Sequence, residues 1–269
     1  MIALLATLLF FDDFSYSSRA QLEKHGWIVR TAAGWPGVPG ATWDAEGVTF
    51  SRGTLQITAS ADGKEVRQVQ LCHERKYREG TYAARVRFSD GGADEVVQTF
   101  YMISPLREPM APEYSELDFE YLPNGGWGRK GPVLFTTTWE TFSPEPNWKA
   151  DNASESKPQS YDGWHTLVVQ VANGEVRYFV DGAPFAAHGD KFYPESLMSI
   201  NFNLWFTRNG VKPENEKRTY RQEIDWVFHA ANESLAPEDV EKRVAKLRKA
   251  KVRFRDTVPD SKLDSPCNL

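Results

Sequence analysis

Three acidic residues, Glu116, Asp118 and Glu120, alternate with Leu117, Phe119 and Tyr121 in the stretch Ser115–Tyr121. Strict polar and apolar alternation reads as a β-strand, whose successive side chains point to opposite faces. The three carboxylates therefore share one face and the apolar residues share the other, which reads as core. No basic residue interrupts the acidic row, and like charges held that close raise one another's pKa and cost stability. Glycoside hydrolysis is one chemistry that uses such an arrangement, because it needs a carboxyl group on each side of the scissile bond. At roughly 3.3 Å rise per residue, the Cα atoms of Glu116 and Glu120 lie about 13 Å apart. Side chains leaning inward could bring the carboxyl groups to the roughly 5–5.5 Å of a retaining mechanism. Asp118, between them, could hold a proton or a hydrogen bond and separate their pKa values. A solvated strand face and a calcium site are the other readings of the same row, since clustered carboxylates also suit hard cations.

The elements that would position this row are short strands separated by turns. Strands are read at Leu8–Phe11, Val48–Phe50, Thr54–Thr58, Gln68–Cys72, Thr81–Phe88, Glu95–Ile103, Val133–Thr141, Trp164–Ala172, Glu175–Val180, Ser199–Phe206 and Glu223–Ala230. Arg52-Gly53 marks one hairpin. Asn173-Gly174 marks another with the strongest short-range turn signal in the chain. Residues 143–162 read as a polar loop. Strands at this spacing predict an all-β fold, a two-sheet sandwich or jelly roll. Beyond it, Val240, Val244 and Leu247 fall at helical spacing from Pro237 to about Lys249, with acids in the first turn and bases in the last. The organisation expected is one domain over residues 1–232, with a short C-terminal helix and tail over 233–269 packed on it. The basic run from Lys246 to Arg255 is read as a solvated face that complements the helix dipole.

The chain has 269 residues and a net charge of −5, so its bulk charge gives no footprint for nucleic acid. The apolar start, Met1–Phe11, is too short to span a bilayer and lacks a basic region and a small-residue cleavage site. It is a poor leader as written, and no other stretch could cross a membrane. Nine tryptophans serve equally for sugar stacking and for core packing on composition alone. Two cysteines, Cys72 and Cys267, are compatible with one disulfide in an exported protein or with two buried thiols.

The acidic strand resembles the active-site motif of glycoside hydrolase family 16, Glu-x-Asp-x-Glu, here Glu116-Leu117-Asp118-Phe119-Glu120 without an extra bulge residue. Three further stretches are similar to family blocks in the expected order. They are the run from Tyr77 to Val86, the pair Gly163–Thr166 with Val176–Gly182, and the closing strands Asn201–Trp205 and Ile224–Val227. The resemblance covers roughly Phe10 to Ala230. It implies a concanavalin A-like jelly roll of two antiparallel sheets with a cleft across the concave sheet. It also implies endo-acting, retaining hydrolysis of a β-linked glucan or galactan. By position, Glu116 would be the nucleophile, Glu120 the acid and base, and Asp118 a residue tuning Glu116.

On the strand Ser199–Phe206, Phe202, Leu204 and Phe206 share the apolar face, so Asn203 and Trp205 would face the cleft. Trp205 is the expected stacking platform, and Trp35, Trp127 and Trp139 are candidates for outer subsites. Trp164 and Trp226 are expected in the core, and His165 as a structural strand residue; His73 and Arg75 receive no role. Three departures from the family pattern bear on substrate: Ala83 where a substrate-binding Glu is frequent, Ala111 where many members have Trp, and Ser115 for a frequent Gly. The partner expected is a polysaccharide or oligosaccharide, with no nucleic acid and no membrane. The protein would be a secreted monomer that requires no cofactor, structural calcium being compatible. A non-catalytic, lectin-like glycan-binding module is the alternative of a different class, and carboxylate chemistry on a small molecule is a remote third.

Overall fold

The computed structural model describes residues 8–214, 216–265 and 267. Most of the apolar start, residues 1–7, lies outside them. The first half of the chain forms β1 (Leu9–Asp12), α1 (Arg19–Glu23), β2 (Ile28–Val29), β3 (Thr42–Trp43), β4 (Val48–Ser51), β5 (Thr54–Ala61), β6 (Val66–Cys72), β7 (Gly80–Phe88), β8 (Val96–Ile103) and β9 (Glu116–Leu122). The second half forms β10 (Gly125–Gly126), β11 (Arg129–Lys130), β12 (Val133–Ser143), β13 (Lys149–Lys157), β14 (Gly163–Ala172), β15 (Glu175–Val180), β16 (Ala183–Gly189), β17 (Ser199–Phe206), β18 (Arg218–Ala231), α2 (Pro237–Lys249) and β19 (Phe254–Asp256).

The strands make a curved sandwich, the jelly roll expected. One sheet runs β2-β6-β17-β8-β9-β12-β13. The other is built on β5, β18, β7, β14, β15 and β16, with β1 extending the edge of β18. Strand β6 joins the two by pairing with β5 as well as β17. Pairing is antiparallel among the described residues except between β3 and β6.

The core follows from alternation. Phe100, Met102, Leu117, Phe119, Tyr121, Leu134, Phe202, Leu204 and Phe206 point from the first sheet into one buried cluster, where they meet Ala84, Val86, Leu167 and Val169 of the second. Burying a Leu or Phe side chain contributes about 1.5–3 kcal/mol, so this inner layer fixes the register of every strand that carries it. A one-residue slip of β9 would exchange Phe119 for a carboxylate in the core.

The helix α2 lies on the outer face of the second sheet. Its Val240 and Val244 pack with Leu9, Phe11, Val168, Trp226 and Phe228. Glu238 and Asp239 occupy its first turn and Lys246, Arg248 and Lys249 its last, each sign at the dipole end that favours it. Arg248 also donates to Asp225 at 2.7 Å. The tail returns as β19 along β1, and Cys267 is disulfide-bonded to Cys72, 195 residues earlier.

Three expectations change. Residues 143–162 hold the strand β13, which pairs with β12 over nine positions. It lies largely in solvent, so it lacks the apolar alternation that marks a strand with a buried face. Residues 183–189, among which no strand is read from the sequence, form β16. Trp164 is half-exposed rather than core: Leu167, Val169 and Val171 point inward, which turns Trp164 outward, where the Arg85 guanidinium lies 5.7 Å from its ring. Trp226 is buried as expected. The Asn173-Gly174 turn forms with φ of 55° and 78°, joining β14 to β15.

Candidate active site

Strand β9 lies inside its sheet, between β8 and β12, so each carboxylate acquires a neighbour on both sides. Glu116 lies beside Ile103 and Trp139, Asp118 beside Tyr101 and Thr137, and Glu120 beside Thr99 and Phe135. Glu116 and Glu120 are half-exposed, whereas Asp118 is 5% exposed. All three line one cleft with Trp35, Asn203 and Trp205. Among the described residues, no lysine, arginine or histidine forms an ion pair with any of them.

The row is nonetheless unequal along its length. The Tyr114 hydroxyl donates to Glu116 Oε2. The Trp139 indole N–H donates to Asp118 Oδ2 at 2.8 Å. Among the described residues no side chain donates a hydrogen bond to Glu120. Burial, reinforced by the charge of Glu116, pushes Glu120 up to about 8. Burial pushes Glu116 up to about 7, against hydrogen bonds from Tyr114 and Asp118. Asp118 is driven well above the carboxylate range, first by burial and then by the charges of Glu116 and Glu120, with the Trp139 N–H opposing. Protons are thus held most weakly at the Glu116 end of the outer pair.

The cleft floor beside the acids is polar. The Arg30 guanidinium stands 4.3 Å from the Trp43 ring and donates to Gln70 Oε1 at 2.8 Å. Gln70 Nε2 in turn donates to the Tyr101 hydroxyl at 2.8 Å. The Asn203 backbone N–H donates to Thr99 Oγ1, while Asn203 Oδ1 is buried with no hydrogen-bond partner among the described residues. A buried acceptor without a donor costs about 1–3 kcal/mol, and a sugar hydroxyl entering the cleft is a donor that could satisfy it.

The tryptophans divide. Trp205 is half-exposed beside Asn203, packed on Val97, Leu122 and Val133. Trp127, 47% exposed, lies 6.2 Å from it between ring centroids and extends that wall. Trp35 stands on a loop whose Gly37, at φ +108°, passes so close to Gln68 that a Cβ would meet Gln68 Oε1 at 2.1 Å. Its ring reaches Phe142 of β12 at 5.6 Å. Trp139, expected at an outer subsite, instead sits in the row itself, because its register places it opposite Glu116. Trp148, which the polar-loop reading hid, is 47% exposed and lies 6.2 Å from Trp139 and 5.8 Å from Phe142.

Sequence reasoning also missed Arg30, Gln70, Thr99, Tyr101 and Tyr114. Thr99 and Tyr101 were recoverable, since they alternate with the core residues Phe100 and Met102 on β8. Arg30 and Tyr114 carry no local pattern that points to the cleft. Ala83 faces α2 on the far sheet, not the cleft, so its departure from the family pattern has no bearing on this site. His73 is buried away from it, its ring nitrogens engaged by the His25 carbonyl and the Tyr77 hydroxyl. Arg75 donates to the Leu197 carbonyl. His73, Glu74 and Asp256 cluster closely enough to hold a metal ion, but the Lys76 ammonium lies between the two carboxylates, 2.7 and 2.6 Å from them, and supplies the positive charge there.

The family model for Glycosyl hydrolases family 16 matches residues 40–228. No curated protein matches the chain. Among solved structures, a glycoside hydrolase family 16 endo-glucanase from Bacteroides ovatus is similar at a TM-score of 0.64 and 16% identity, covering 81% of this chain and 98% of that one. Porphyranase B from Zobellia galactanivorans is similar at 0.61 and 14%, covering 82% and 90%. An immunostimulatory antigen and pseudo β-1,3-glucanase of Mycobacterium tuberculosis is similar at 0.63 and 18%, covering 84% and 100%.

Proposed function

The chain belongs to glycosyl hydrolases family 16, and from that membership we propose that it is a retaining endo-glycosidase acting on a β-linked glucan or galactan. The observation that carries the reading is the acidic row itself: three carboxylates lining one cleft, none of them in an ion pair among the described residues. In the proposed reaction a Glu116 oxygen attacks the anomeric carbon as the glycosidic C–O bond breaks. Glu120, with the higher proton affinity of the outer pair, delivers its proton to the leaving oxygen. Water then attacks the glycosyl-enzyme, Glu120 takes its proton, and Glu116 is released. Asp118, protonated between them, hydrogen-bonds Glu116 and separates the outer pair's charges. The chemistry requires no cofactor. Trp205 is the proposed stacking platform, with Asn203 beside it as a hydroxyl acceptor, and Trp35 and Trp127 as outer contacts.

Action outside the cytoplasm, as a monomer, is part of the proposal, and the Cys72–Cys267 disulfide supports an oxidising compartment. The testing experiment is release of reducing ends from a panel of β-glucans and galactans. The wild type should release them from at least one polymer, and Glu116→Gln should lower the rate at least ~10³-fold, as loss of a covalent nucleophile does. Tight binding to a polymer with no release from any of the panel would favour the lectin-like alternative.

A further inference from the structure

Tyr114 precedes β9 and is two residues from Glu116. Its backbone is fixed by its neighbour: the Ser115 N–H donates to Ser104 Oγ, the Ser104 N–H donates to the Ser115 carbonyl, and the Ser115 hydroxyl accepts from the backbone of Glu195 and Ser196. The ring is 2% exposed and packs edge-on against Phe142 at 5.3 Å, within a cluster that includes Tyr101 and Ile103. A tyrosine clamped this way has few rotamers left, and its hydroxyl ends on Glu116 Oε2. On the other side, Trp139 occupies Asp118 Oδ2, which leaves Asp118 Oδ1 to carry a proton toward Glu116.

We propose that Tyr114 is a positioning residue: its hydroxyl, donated to Glu116 Oε2, holds that carboxylate as the anion and turns its other oxygen toward the sugar. This rests on the reading of Glu116 as nucleophile and supplies what two-carboxylate chemistry alone leaves open, namely why one Glu attacks and the other protonates. A hydrogen bond to a charged acceptor is roughly twice as strong as a neutral one, and it favours the ionised form of the group that accepts it. Burial and the charge of Glu116 keep the Tyr114 phenol well above its usual range, so it remains a donor wherever the enzyme works.

The test is a ¹³C-carboxyl titration of the full chain, with the Glu116 resonance assigned by its loss in Glu116→Gln. Tyr114→Phe removes one oxygen and keeps the ring. It should raise the proton affinity of Glu116 about tenfold and move the acidic limb of kcat/KM upward by the same factor. 3,5-Difluorotyrosine at position 114, a stronger donor, should move both the other way, and it serves equally if Tyr114→Phe does not fold. An unchanged Glu116 midpoint in the variant that folds overturns the proposal, even if hydrolysis persists. A shifted midpoint in a protein that cleaves no glycan supports the Tyr114 contact and overturns the hydrolase reading instead.

Discussion

At the scale of single residues, the acidic row carries a cost that function alone accounts for. Glu120 has a proton affinity raised by burial and by Glu116, to about 8 against an ordinary value of 4.5. A carboxyl whose folded pKa lies above its unfolded one binds protons better when folded. Its ionisation therefore destabilises the fold above pH 8, and the penalty fades as pH falls from about 8 toward 4.5. Glu120→Gln should accordingly melt higher than the wild type at pH 9 and at the same temperature near pH 4. Allowing for solvent screening of a half-exposed carboxylate, the gain at pH 9 is about 1 kcal/mol, or roughly 2–4 °C. Thermal melts at the two pH values check this, and a gain of equal size at both would mean that packing, not charge, separates the variants. The identity of the row was legible in the sequence because a strand period of two sorts side chains by face without reference to anything distant. Its asymmetry was not. The Trp139 contact with Asp118 depends on the β9–β12 register, and Arg30 reaches the cleft through Gln70, 40 residues away.

At the scale of elements, the long β12–β13 hairpin is where sequence and structure part most. Strands β7, β9 and β14 each present alternating apolar residues to a core, and their positions could be read directly. Strand β13, Lys-Ala-Asp-Asn-Ala-Ser-Glu-Ser-Lys from Lys149 to Lys157, faces mostly solvent and is held by backbone pairing to β12, which leaves no signature in its side chains. Its polar, lysine-flanked sequence also blunts a sheet edge that would otherwise invite another strand. The turn of this hairpin presents Trp148 beside Trp139 and Phe142, and Phe142 in turn meets Trp35 of the cleft lining. If Trp148 supports a distant sugar, Trp148→Ala should raise KM for long oligosaccharides while leaving cleavage of the shortest substrates unchanged. An aromatic stacking contact contributes about 0.5–1.5 kcal/mol, which corresponds to roughly a 2- to 12-fold rise. Steady-state kinetics on a ladder of chain lengths measures it, and an equal loss at every length would place Trp148 outside substrate binding.

At the scale of the whole molecule, the sandwich acts as a rigid plate for one strand. The inner layer is packed by side chains from both sheets, the outer face of the far sheet is sealed by α2, and the tail is tied to β6 through Cys72–Cys267. That leaves the carboxylate face of β9 open while its opposite face is locked in the core, so the spacing of the acids is set by backbone geometry and not by flexible side chains alone. The order of strands and the closing helix were readable from period and turn chemistry. The pairing of strands distant in sequence, such as β9 between β8 and β12 or β17 between β6 and β8, was not legible, because no local pattern encodes partners; family resemblance supplied only the two-sheet jelly roll. The central claim, a covalent intermediate on Glu116, is tested most directly with activated 2-deoxy-2-fluoro β-glycosides of gluco and galacto configuration, followed by peptide mass spectrometry. The account predicts a glycosyl adduct on the peptide containing Glu116, lost in Glu116→Gln. Turnover that yields inverted product without any adduct, or an adduct carried by Glu120, would contradict it.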